Sequence, residues 1–285
     1  MAGEARGQES APASQPAAQP VSEPASQPVA PVYADADSHV FATREQGPLM
    51  LHVVKPDGWA ATDKRVAWIH FYGGGWIRGT TDSSIGWARS AAKRGMVGIA
   101  PDYRTRERHG TTPAECVADA RAALRWVQDH AAELGVDPAR IVVSGNSAGG
   151  HVALWTAIEH APPVSDPAES PRMKPAALIL SSPVADTSPE TGYAAERAGE
   201  HALELSPVDQ LDAKMPPVLL LHGDADKTVP YSQAVDLNAR LTAAGNKCTF
   251  VTVPGGSHNF RSDLPEWKNK TREYMDAFLK ECGLD

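Results

Sequence analysis

The chain runs to 285 residues, enough for one large domain with a buried core or two small ones. A net charge of −8 and a pI near 5.7 deny it the basic face that nucleic acid or an anionic membrane demands, and no apolar run approaches the roughly 18 residues that cross a bilayer. Three cysteines, Cys116, Cys248 and Cys282, are too few and scattered for a disulfide scaffold or a zinc cluster; they read as packed free thiols, though Cys248 and Cys282 could pair if their elements lie side by side.

Residues 1–38 are rich in Ala, Pro, Ser, Gln and Glu, with Pro12, Pro16, Pro20, Pro24 and Pro28 recurring at a fixed interval. Such a stretch has little to bury and few backbone donors, which predicts an extended, disordered spacer. It lacks the basic and apolar regions of a signal peptide. Two readings of it stay open: the tether of an exported (periplasmic or extracellular) domain whose signal or anchor lies upstream, and a flexible extension of a cytoplasmic protein.

From residue 39 to 285 the texture is uniform, which predicts a single domain. Short apolar runs at 49–54, 65–71, 96–100, 140–144, 177–181, 218–222 and 248–253 read as strands, several of them continuous enough to be covered on both faces. Helical spacing marks 83–94, 113–134, 148–160, 232–244 and 264–281. Strand–helix alternation implies the α/β class, a mainly parallel central sheet with helices on both faces.

The expected strand 140–144 runs into Gly145-Asn146-Ser147-Ala148-Gly149-Gly150 and then a helix. A G-x-S-x-G between strand and helix is a nucleophile elbow: small neighbours let the backbone turn sharply enough to project the serine oxygen above the sheet. The helix N-terminus just beyond offers free N–H groups to a developing oxyanion. A serine hydroxyl needs a base, and the base an orienting acid. After the strand at 218–222 the loop carries Asp224 and Asp226; Asp226, further along, is better placed to reach across, and Asp224 to cap the turn. After the strand at 248–253, Pro254-Gly255-Gly256-Ser257-His258 puts a histidine where the base belongs. Tyr72-Gly73-Gly74-Gly75-Trp76, after the strand at 65–71, offers bare backbone donors, and its aromatics Tyr72 and Trp76 are candidates to line a substrate pocket, as are Trp87 and Trp155. His151 and His222 read as structural, and so do Arg104 and His109 in the loop at 102–110. No histidine pair has zinc-ligand spacing, so neither metal nor cofactor is expected.

With nucleophile, acid, base and glycine loop in this order, the chain resembles the esterase/lipase branch of the α/β-hydrolases, and looks closest to acetyl-esterase and acetylxylan- or feruloyl-esterase-like members. His70-Phe71-Tyr72-Gly73-Gly74-Gly75-Trp76, Asp102-Tyr103-Arg104, the elbow, Ser206-Pro207-Val208 and the loops at 222–230 and 256–260 carry the likeness. Two departures stand out: Phe71 and Tyr72 separate His70 from the glycines, and Asn146 replaces the Asp or Gly common before the nucleophile. The resemblance implies a triad of Ser147, Asp226 and His258, an oxyanion hole from the N–H of Ala148 with that of Gly73 or Gly74, and hydrolysis of a small-molecule or carbohydrate ester. The connection between the strands at 177–181 and 218–222 is short for a lid, so a short acyl group is expected, with acetyl on a carbohydrate as one candidate. An amidase, formamidase or small dipeptidyl-peptidase-like enzyme is the alternative use of the same triad; the oligomeric state is not legible.

Overall fold

The computed structural model describes Met1 and residues 31–285. Most of the expected spacer therefore lies outside the described residues. The folded body already begins around Tyr33, whose hydroxyl donates to Asp82 at 2.7 Å, just ahead of the boundary expected at residue 39.

Strands β1(Asp37–Arg44), β2(Gly47–Val54), β3(Arg65–Phe71), β4(Val97–Pro101), β5(Val136–Asn146), β6(Ala177–Ser181), β7(Val218–Gly223) and β8(Cys248–Val253) form one sheet in the order β1-β2-β4-β3-β5-β6-β7-β8. β2 is antiparallel to β1 and to β4; from β4 to β8 the pairing is parallel. The helices are α1(Ile85–Ala92), α2(Arg106–His109), α3(Pro113–Asp129), α4(Ala148–Trp155), α5(Ala195–Ala198), α6(Tyr231–Ala243), α7(Phe260–Asp263) and α8(Pro265–Glu281).

Side chains alternate across the parallel strands as the pleat requires. In β7, Val218 and Leu220 enter the core shared with α3, α4 and α6, whereas Leu219 and Leu221 enter the core shared with α8. α3 begins on a full capping box, Thr112 with Glu115, and Pro113 at its first turn. It stops at Asp129, short of the expected residue 134: His130 leaves helical geometry (φ −103°, ψ 13°), and turns carry the chain to Gly135 (φ +64°) and into β5. Ala131 and Leu134 still reach the core, but from turns. β1 was not expected: it is the edge strand, and its Asp-Ser-His-Val-Phe-Ala-Thr-Arg sequence is buried only around Phe41 and Ala42. All three cysteines are free, so the pairing of Cys248 with Cys282 is not made.

This topology decides where a site forms. The chain passes from β3 outward to β4, then crosses back to β5 on the other side of β3. At such a reversal the loops leaving the C-terminal ends of β3 and β5 diverge and open a crevice.

Candidate active site

Ser147 sits at that crevice, between β5 and α4, with φ +56° and ψ −125°. A non-glycine residue reaches this part of backbone space only under tertiary compulsion. The compulsion is visible: Ser147 N–H donates to the Ser181 carbonyl at 3.1 Å, and its own carbonyl accepts from His151 N–H at 3.1 Å and Val184 N–H at 3.2 Å. The flanking glycines make room. A Cβ on Gly145 would overlap the Gly149 carbonyl across the turn, and one on Gly149 would overlap the carbonyl oxygens of Phe71 and Tyr72 at the end of β3. The obstacle at Gly145 is thus the elbow's own helix, and a neighbouring strand end only at Gly149.

The loops after β7 and β8 are packed backbone to backbone: Ala225 N–H donates to the Gly256 carbonyl at 3.0 Å and Asp224 N–H to that of Val253 at 3.2 Å. This brings Asp226 beside His258, whose Nδ1 lies 2.7 Å from Asp226 Oδ2. The other carboxylate oxygen accepts from the N–H groups of Thr228 at 2.8 Å and Val229 at 3.0 Å. Burial opposes ionisation of Asp226, but the hydrogen bonds from His222, His258 and the backbone outweigh it and hold the carboxyl well below the usual carboxylate range. A charged Asp226 fixes the Nδ1–H tautomer of His258 and leaves Nε2 free to accept a proton. Asp224 plays a lesser part, since its Oδ1 accepts from Gly255 N–H at 2.7 Å and braces the paired loops.

Ser147 and His258 line one cavity of about 760 Å³, walled also by Gly73, Gly74, Trp87 and Tyr193. The resting structure makes no direct Ser147–His258 hydrogen bond, and such contacts commonly tighten only when substrate is bound. Ala148 opens α4, so its N–H has no partner within the helix. The N–H groups of Gly73 and Gly74 likewise meet no protein acceptor among the described residues. Gly73 lies against the elbow: a Cβ there would stand 2.7 Å from Asn146 Nδ2 and 3.2 Å from Ser147 Cβ.

Tyr72 and Trp76 are not pocket residues. Both are fully buried, Tyr72 stacked on Tyr103 with its hydroxyl on Asp102 at 2.5 Å, and Trp76 edge-on to His151. Arg108 clamps the same Asp102 at 2.6 Å, so this network anchors the root of the glycine loop. Trp155 is buried too, whereas Trp87 does line the cavity. Arg104 and His109 belong to structure: Arg104 forks onto the buried Asp119, and His109 Nδ1 accepts from Thr105 N–H at 3.0 Å. His151 is buried with Nε2 on the Leu205 carbonyl. His222 does more than brace a turn. Its Nε2 lies 3.0 Å from the Val229 carbonyl and 3.1 Å from Asp226 Oδ2, making it a second imidazole on the carboxylate that orients His258.

Known proteins share both the sequence and the fold. Residues 51–179 and 180–241, well over half of the chain, match the family model BD-FAE. The chain belongs to the BD-FAE family. Solved structures of an esterase share its α/β-hydrolase fold: native esterase 2 of Thermogutta terrifontis superposes with a TM-score of 0.81 at 37% identity, covering 91% of this chain and 96% of that one. The propionate-bound form of that esterase gives 0.80 at 38% identity, over 88% and 96%. Among curated relatives, carboxylesterase NlhH of Mycobacterium tuberculosis is 43% identical over 86 residues, which is 30% of this chain and 26% of that protein. Esterase LipQ of the same species is 26% identical over 73% of this chain and 53% of its own length. The chain thus spans from about a quarter to about half the length of these curated relatives.

Proposed function

We propose that the protein is a serine carboxylesterase acting on short acyl esters, acetyl esters of carbohydrates among them, through an acyl-enzyme on Ser147. One observation carries the reading: Ser147, in its constrained elbow, shares a cavity with His258, whose Nδ1 is held by a buried, ionised Asp226. His258 Nε2 takes the Ser147 proton as Oγ attacks the ester carbonyl, and the free N–H groups of Ala148 and of Gly73 or Gly74 receive the oxyanion. The imidazolium returns its proton to the departing alcohol. Water then repeats the sequence on the acyl-enzyme and releases the acid.

Two things support a short acyl group. The short segment between β6 and β7 adds Tyr193 and Arg197 to the wall of the cavity and forms no separate lid domain among the described residues. A structural relative sharing 37% of its sequence is known with butyrate bound, and another form of it with propionate. The test is hydrolysis of p-nitrophenyl acetate, butyrate and octanoate by wild type and Ser147→Ala, followed by acetate release from acetylated xylan. Rates should fall with chain length and drop roughly 10⁴–10⁶-fold in the variant. A Ser147→Ala protein with full activity, or a wild type inert on every ester yet active on an amide, would overturn the reading.

A further inference from the structure

The cavity around Ser147 carries a charge opposite to that of the molecule. Three arginines, Arg78, Arg197 and Arg261, line it, and neither Asp nor Glu does, in a chain of net charge −8. Several arginines elsewhere hold carboxylates at 3.1 Å or less, Arg44, Arg65, Arg89, Arg94 and Arg125 among them, whereas Arg106, Arg140 and Arg272, like those of the cavity, have none among the described residues; what sets the cavity arginines apart is that they gather around one serine. Among the described residues, no carboxylate lies within ion-pair reach of Arg78 or Arg261. Arg197 has only the exposed Glu196 at 3.6 Å, and its Nη1 reaches the Gly75 carbonyl at 3.4 Å, against the glycine loop.

Arg261 is the most deliberately placed of the three. Its guanidinium lies over the Trp87 ring, 4.3 Å from the centroid, and that ring also stacks on His70 at 4.5 Å. Its Nε is buried without a hydrogen-bond partner. Burial, and then the charge of Arg272 nearby, hold its pKa below the ordinary arginine value, with no anion acting in the other direction. The anionic neighbours are accounted for elsewhere. Asp226 stands behind His258 and is saturated by two imidazoles and two N–H groups. Asp82, in an adjoining cavity of about 240 Å³, receives Tyr33 and Thr80 at 2.7 Å and 3.0 Å. Keeping unpaired cations around a polar cavity costs stability, and a carboxylate on the ligand would relieve that cost with charge-assisted hydrogen bonds.

We propose that the natural substrate is an ester whose alcohol part bears a carboxylate, that is, an O-acylated hydroxy acid, with Arg261 and Arg78 as the groups that select it. The inference rests on the esterase reading above. It assigns the charge to the alcohol part because His258 must hand its proton to the leaving alcohol oxygen, and Arg261 lies three residues beyond His258 on the same wall of the cavity. The reaction balances without any co-reactant: the acyl–oxygen bond breaks, water adds across it, the alcohol oxygen takes a proton, and the acid released ionises.

The experiment compares matched pairs that differ only in that charge: 4-acetoxybenzoate against 4-acetoxybenzamide, and mono-O-acetylglucuronate against mono-O-acetylglucuronamide. Wild type should favour the anionic member by about tenfold or more in kcat/KM, with the preference shrinking as salt screens the partly exposed arginines. The ratio within each pair should collapse several-fold in Arg261→Gln and in Arg78→Gln, and survive largely in Arg261→Lys, which keeps the charge. Using the ratio removes any general loss of activity or folding from the comparison. A preference in the aromatic pair alone, or in the sugar pair alone, identifies the alcohol's source and supports the proposal either way. A wild-type ratio of one or less in both pairs, or a ratio untouched by both glutamine substitutions, overturns it. So does a carboxylate preference that appears only when the charge is on the acyl part, as in p-nitrophenyl hemisuccinate against p-nitrophenyl butyrate. These outcomes are distinct from failure of the esterase reading, in which neither member of any pair is hydrolysed or Ser147→Ala hydrolyses them as wild type does.

Discussion

Replacing Ser147 with glycine should leave an inert protein that is more stable than the equally inert Ser147→Ala variant. Ser147 holds φ +56° and ψ −125°, outside the small left-handed helical region and in space where a Cβ is penalised. A residue pinned in such a conformation carries on the order of 1–3 kcal/mol of strain, which alanine retains and glycine sheds. Against this, glycine frees the unfolded chain by about 0.4–1 kcal/mol. Ser147 is only 8% exposed, so the methyl that glycine lacks gives back up to about 0.8 kcal/mol more. The central values leave glycine ahead by about 0.5 kcal/mol, on the scale of those three estimates. For a domain of this size that corresponds to about 1–2 °C in Tm. Thermal melts of the two variants, recorded by circular dichroism at one pH and protein concentration, make the comparison, and neither turns over substrate to confuse it. If the glycine variant melts at or below the alanine variant, the elbow is not strained and the three backbone hydrogen bonds around Ser147 hold it without penalty.

The two loop carboxylates should separate cleanly: Asp226→Asn should cut kcat on p-nitrophenyl acetate by about 10³–10⁴-fold through the wrong imidazole tautomer, while Asp224→Asn, which touches only Gly255 N–H, should change it by less than about tenfold. Gly149→Ala should give little soluble protein, because the new Cβ meets the Phe71 and Tyr72 carbonyls, which β3 cannot move; a yield and Tm equal to wild type would contradict that packing. Buried His70 and His151 have pKa values pushed down to about 3 and about 4, chiefly by burial, so the unfolded chain binds protons below about pH 6.5 that the folded one refuses. Stability should therefore be complete above that pH and decline toward pH 4, by up to about 1.4 kcal/mol per pH unit for each histidine, and urea midpoints for His151→Gln should fall less steeply than for wild type.

Much of this architecture is legible in the chain because the parallel strands declare themselves twice. Val-Leu-Leu-Leu in β7 and Leu-Ile-Leu in β6 are apolar without interruption, as strands covered on both faces must be, and each ends in the small residues that a tight turn demands. The elbow, Asp226 and His258 sit directly after such strands, so their meeting follows from the strands being parallel. What stays hidden are facts set by contacts distant in sequence. Tyr72 and Trp76 flank a glycine loop and could face either way; Tyr72 turns inward because Asp102 and Arg108, some thirty residues on, hold its hydroxyl. β1 is hidden because an edge strand buries too little to show a pattern. His222 looks like the end of a strand, and only the return of the loop at 224–229 puts Asp226 against it.

The charge of the cavity belongs to the same hidden class. Net charge is a property of the whole surface, and −8 describes the field of that surface alone. A cavity draws its sign from the few side chains that line it. Here they come from the turn after the glycine loop, from the segment after β6 and from α7, where Arg78, Arg197 and Arg261 each look like an ordinary surface cation. Only the fold reveals that Arg78 and Arg261 meet in one cavity with no carboxylate beside them, and that Trp87, stacked on His70, holds one of them in the wall of the cavity that Ser147 lines. An acidic protein that places two unpaired guanidinium groups in the cavity of Ser147 is built, on the proposed reading, to select a single negative charge at short range. That combination suits small acylated acids better than neutral esters.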